Sequence, residues 1–80
     1  MRLPRDLSGR ALAAALSRLG YEVTRQTGSH LRVTRRAPQE HHVTIPDHDV
    51  LEVGTLTAIL RDIAQSNALS RDELVRLLFS

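Results

Sequence analysis

The sequence predicts an α+β fold, ordered α-β-β-β-α-α, in which a three-stranded antiparallel sheet carries its helices on one face. Two observations carry this. Three short runs between residues 21 and 45 alternate apolar and polar residues at period two, separated by breaks containing glycine or proline. On both sides of that block, apolar residues recur at helical spacing. Short connections favour strands that neighbour each other in sequence pairing in the sheet, and the apolar helix stripes need a sheet to lie on. The opposite sheet face is expected to stay open.

Ser8 is placed to cap a helix over Gly9 to Leu19, with Leu7 and Leu12 as a hydrophobic staple and Gly20 just past its end. Leu12, Leu16 and Leu19, with Ala13 and Ala15, form its buried stripe. Tyr21 to Thr27 then alternates, Tyr21 and Val23 facing one way and Glu22, Thr24 and Gln26 the other. Gly28-Ser29 fits a tight hairpin turn, with Gly28 supplying a positive φ. In the next run, His30 to Arg35, Leu31 and Val33 face the core, so His30, Arg32 and Thr34 face away. After a polar connection containing Pro38, His41 to Ile45 places Val43 and Ile45 inward and His42 and Thr44 outward. Pro46 ends the strand because it has no N–H for a ladder. Gly54-Thr55 opens a helix whose Leu56, Ile59, Leu60 and Ile63 repeat at i, i+3, i+4 and i+7. Ser70-Arg71-Asp72-Glu73 is a capping box, predicting a last helix from Arg71 to Phe79 with Leu74, Leu77 and Leu78 buried.

Eighty residues make one domain, spanning 1–80, with a thin core and no internal repeat or flexible linker. Cysteine is absent, which removes disulfides, thiolate nucleophiles and thiolate metal sites and fits a cytoplasmic protein. No signal-peptide pattern and no apolar run of membrane-spanning length occurs, so no membrane partner is expected. Charge is unevenly divided. Residues 1–36 hold eight arginines against Asp6 and Glu22, net +6, whereas residues 37–80 hold three arginines against seven acids, net −4. Every basic residue is arginine, a side chain suited to bidentate phosphate contact, although a GC-rich coding bias would give the same composition. A basic half of this kind points to a polyanionic partner.

By alternation the open face collects Thr24, Gln26, His30, Arg32, Thr34, His42 and Thr44. RNA can be cut without a metal or other cofactor. Its 2′-hydroxyl must lose a proton and attack the adjacent phosphorus, the leaving 5′-oxygen must gain a proton, and the charge on phosphorus must be stabilised. Imidazole suits the proton transfers and guanidinium the charge. His30 is the candidate for the former, with Arg25, Arg32, Arg35 or Arg36 as the candidate phosphate ligands. Ser29 offers a hydroxyl contact to phosphate or plain turn chemistry. His48 is expected to hydrogen-bond the loop leading into Gly54 rather than to act in catalysis. His41 and His42 point to opposite faces of a strand, and with His48, Asp47 and Asp49 they match no metal-ligand spacing, so no metal site is expected. Tyr21 and Phe79, the only aromatics, fit core faces, unlike the sheet aromatics that stack bases in RNA readers.

Nearly end to end, the chain resembles the HicA-type toxin family, small bacterial messenger-RNA interferases with a double-stranded-RNA-binding-like fold. The resemblance rests on Leu7-Ser8-Gly9-Arg10, Leu19-Gly20-Tyr21, Gly28-Ser29-His30, Val43-Thr44-Ile45-Pro46 with His48, Gly54-Thr55-Leu56 with Ile59-Leu60, and the Ser70 to Leu78 helix. It implies that His30 is catalytic and that a cognate HicB-type antitoxin blocks the site; Gly28 and Ser29 of the same turn are candidate RNA contacts. The chain departs from the family in having arginine where lysines are common. The His41-His42 pair has no role carried over from the family.

A second reading is a non-catalytic RNA-binding module of the same fold, with His30 only a contact. A duplex RNA binder needs a basic face on its last long helix. Here Arg61 stands beside Asp62 and the acidic half holds both C-terminal helices, which disfavours duplex binding as the whole function. A pure protein-interaction domain would leave the basic half and the outward His30 unexplained.

Overall fold

A computed structural model describes residues 3–80; Met1 and Arg2, the latter counted in the basic half, lie outside the described residues. The elements are α1 (Gly9–Leu16), continued by a 3-10 turn over Ser17–Leu19, β1 (Glu22–Thr27), β2 (His30–Arg35), β3 (His41–Pro46), α2 (Val53–Ser66) and α3 (Arg71–Phe79). The three strands form one antiparallel meander in the order β1-β2-β3. This is the α-β-β-β-α-α arrangement of the double-stranded-RNA-binding-like folds, as the periodicities predict.

The core follows from register. Leu31 pairs with Ile45 and Val33 with Val43, so these four side chains share one face, and all are buried. Leu12 and Leu16 of α1, Leu56, Ile59, Leu60 and Ile63 of α2, and Leu74, Val75 and Leu78 of α3 cover them. Tyr21 is buried as expected, and Phe79 is partly buried against the same cluster. Leu77 is a correction: it is 47% exposed, and Val75 is buried in its place, because α3 turns its Leu74-Val75-Leu78 stripe inward.

Local signals set the helix ends. The Ser8 hydroxyl accepts the Ala11 N–H at 3.0 Å. At α3, Ser70 Oγ accepts from the Glu73 N–H at 3.1 Å while the Glu73 carboxylate accepts from the Ser70 N–H at 2.9 Å. That pair of bonds with Ser70, backbone first and hydroxyl second, with a smaller contribution from Arg76, holds the Glu73 carboxyl below its usual range. A lowered folded-state pKa contributes stability that is present above the unfolded value and lost as pH falls through the folded one. In urea titrations, Glu73→Gln is therefore expected to be less stable than wild type at neutral pH, and the difference is expected to vanish in acid.

One departure in β1 changes what the sheet presents. Val23 pairs with Val33 and Arg25 with Arg32, leaving Thr24 as an extra residue in a bulge. Strict alternation would put Gln26 on the open face with Thr24. The bulge reverses the faces beyond it, so Gln26 pairs with Leu31 on the helix side and Arg25 joins Arg32 on the open side. Val23, although paired on the core side, is 50% exposed because it lies on an edge strand.

Candidate functional site

The β1–β2 turn closes on the Thr27 and His30 pair, with Gly28 at φ 51°. A positive φ at the first turn position and not at the second is what a II′ hairpin asks of glycine. His30 opens the central strand opposite Pro46, on the sheet face away from the helices, and is exposed. The Ser29 hydroxyl lies 3.5 Å from His30 Nδ1. The Asp47 N–H donates to Ser29 O at 2.6 Å, so the segment after β3 is stitched directly to the turn.

That segment is also tied to the start of α1. The Gly9 N–H donates to His48 O at 3.0 Å, and Arg10 Nη2 contacts Asp47 Oδ2 at 3.0 Å. The approach is close enough that a Cβ on Gly9 would overlap the Pro46 carbonyl. His48 ties its own loop to α1 through its backbone carbonyl, and its ring, expected to hydrogen-bond the loop leading into Gly54, is exposed. Three segments distant in sequence converge at this end of the sheet. Arg10 was not among the residues expected at the site. The available signal was its position in the first turn of a helix, where a cation opposes the helix dipole and calls for another reason to be there.

The two adjacent histidines point to opposite faces, as their strand positions require. His41 faces the helices, 2.6 Å from Tyr21 Oη and 3.2 Å from Asp62 Oδ1. Asn67 Nδ2 donates to the same tyrosine oxygen at 3.1 Å. His42 faces the open side, and its Nδ1 lies 2.8 Å from Thr34 Oγ1, which is itself 2.8 Å from Thr24 Oγ1. Its Nε2 lies 2.9 Å from Glu40 Oε2. A neutral His42 ring that donates from Nε2–H to Glu40 accepts at Nδ1 from the Thr34 hydroxyl, while the single Thr24 hydroxyl proton is shared between Thr34 Oγ1 and Arg32 O, 3.4 Å away. Thr34, expected on the open face, is there but only 1% exposed, because Thr24 and His42 close over it.

The arginines fall into two groups. Arg25, Arg32 and Arg36 line a depression of about 340 Å³ on the open face, beside Thr24, Glu40 and His42. Arg36 Nε lies 3.7 Å from Glu22 Oε1. Arg35 stands apart from them, 3% exposed. Its guanidinium donates to Gln39 O, Ser66 O, Ser66 Oγ and Asn67 Oδ1. A phosphate cannot reach it without displacing those acceptors, which corrects its placement among the surface ligands. The physical reason is that the C-terminal end of α2 leaves carbonyls needing donors, and Arg35 reaches under them.

Among the described residues, no group of three or more His, Cys, Asp or Glu side chains is placed to hold a metal ion, and no helix is long and apolar enough to cross a membrane. Residues 9–64 match the model of a family described as the HicA toxin of bacterial toxin-antitoxin systems. The chain belongs to the HicA toxin family. The match begins at the glycine packed against Pro46 and runs through most of α2, so it includes the His30 turn, the whole sheet and the loop that joins β3 to α1. Comparison with curated proteins and with solved structures found no match. Membership places the chain on the toxin side of a toxin-antitoxin pair, which implies an antitoxin as partner.

Proposed function

We propose that this HicA toxin is a metal-independent endoribonuclease that cuts messenger RNA in the cytoplasm, with His30 as its general acid and base. The supporting observation is the exposed imidazole at the mouth of a rigid turn, on a polar sheet face that also presents arginines. In the proposed reaction His30 takes the proton of the 2′-hydroxyl, directly or through water. The 2′-oxygen then bonds to phosphorus, the bond from phosphorus to the 5′-oxygen breaks, and the proton passes from the imidazole to that oxygen. The products are a 2′,3′-cyclic phosphate and a 5′-hydroxyl. Gly28 and Ser29 shape the turn against the backbone, and Arg25, Arg32 and Arg36 hold the strand through its phosphates. A cognate HicB-type antitoxin would silence the toxin by covering His30.

The non-catalytic reading, RNA binding alone, keeps the arginines but gives His30 no chemistry. The two separate in a living cell. Induction of the wild-type chain in a bacterium is expected to arrest growth and shorten transcripts, and His30→Ala at equal soluble level is expected to do neither. Equal arrest by both forms would remove His30 from the mechanism.

A further inference from the structure

The open face holds a second feature, apart from the His30 corner, that turn chemistry does not explain. Arg25 and Arg32 are direct cross-strand partners, an arrangement in which like charges destabilise a sheet. Among the described residues, no carboxylate lies within ion-pair distance of either. The β1 bulge is what brings Arg25 to this face at all. Glu40, the acid that lines the depression with them, pairs with His42 Nε2 at 2.9 Å and with neither guanidinium. His42 is anchored in turn by the buried Thr34 hydroxyl. Arg25 and Arg32, with no carboxylate of their own, share a concave surface with Arg36, whose guanidinium lies 3.7 Å from the exposed Glu22 carboxylate.

We propose that Arg25, Arg32 and Arg36 form a second phosphate site, which grips a linkage of the RNA strand next to the one being cut. This rests on the ribonuclease reading above. Arg32 lies two residues along β2 from His30 and Thr34 four, which places the centre of the site roughly 7 to 14 Å from the catalytic corner. That separation suits a strand lying along β2, with the neighbouring linkage over the arginines. His42 is a positioning residue: by engaging Glu40 it keeps that carboxylate from pairing with the arginines.

The test uses the full chain carrying His30→Ala and a single-stranded RNA spanning a mapped cut, with one linkage at a time replaced by an uncharged methylphosphonate. One linkage other than the scissile one is expected to weaken binding about tenfold when neutralised. That penalty is expected to disappear in Arg25→Gln and Arg32→Gln, which relieve the like-charge pair and should unfold no more easily than the parent. His42→Ala is expected to lose affinity and adding Glu40→Gln to restore it, while Glu40→Gln alone is expected to change affinity little; an equal gain from Glu40→Gln with and without His42 overturns the positioning role. A penalty that persists in the arginine variants, or no sensitive linkage, overturns the second site even if the wild type cleaves. Failure of the wild type to cut any RNA, with the sensitive linkage still present, overturns the ribonuclease reading and leaves the phosphate site standing.

Discussion

Replacing His30 by alanine is expected to slow RNA cleavage by about 10²- to 10⁴-fold, the range that positioned proton transfer contributes, while RNA affinity changes little. The ring is exposed and contacts only the Ser29 hydroxyl at 3.5 Å, so the fold does not depend on it. The turn that carries it is fixed by the Thr27 and His30 pair and by the bond from Asp47 to Ser29, both through backbone that alanine retains. Single-turnover cleavage and equilibrium binding, measured on the same RNA, separate chemistry from affinity. A variant that binds tenfold more weakly yet cuts at the wild-type rate once saturated would make His30 a binding contact only.

The second large effect is on stability. Arg35→Met is expected to cost about 3 kcal/mol, because it removes the donors held by partly buried acceptors on Ser66 and Asn67 and by the Gln39 carbonyl. The loss is severe against the roughly 4 to 12 kcal/mol expected for a domain of this size. It would also loosen the polar chain through Asn67, Tyr21, His41 and Asp62 that joins the strands to the end of α2. Urea unfolding of Arg35→Met beside Arg32→Gln makes the contrast: Arg32, three residues earlier, is exposed and has no ion partner among the described residues, and its replacement is expected to leave the midpoint unchanged or slightly raised. An Arg35→Met chain as stable as wild type but weaker toward RNA would return Arg35 to the phosphate ligands.

These two arginines show where the sequence was legible and where it was not. Caps, turn and stripes were readable because each depends on a few neighbouring residues: Ser8 and Ser70 on the N–H three residues on, Gly28 on its own φ, α2 on its four-residue spacing. Arg35 looked like an exposed end of a strand. What buries it is the end of α2, some thirty residues later, a contact that no local pattern announces. Thr24 is a subtler case, since a bulge leaves the sequence alternation intact and shifts only its pairing, moving Gln26 to the helix side, where it stays exposed on the edge strand, and Arg25 to the open side. Arg10 reached the His30 end of the sheet through Asp47, a partner 37 positions away. Thus His30 was readable from its turn, whereas most of its surroundings were assembled by long-range packing.

The most direct measurement is the chemistry of the cut ends. Wild-type chain is incubated with a structured messenger RNA in excess EDTA, and the fragments are analysed for their termini. Transfer to the neighbouring hydroxyl with His30 moving the protons leaves 2′,3′-cyclic phosphate or 3′-phosphate beside 5′-hydroxyl ends, with the rate unchanged by the chelator. Fragments bearing 5′-phosphate and 3′-hydroxyl ends, or cleavage that stops in EDTA, would contradict the assignment of the reaction to this histidine.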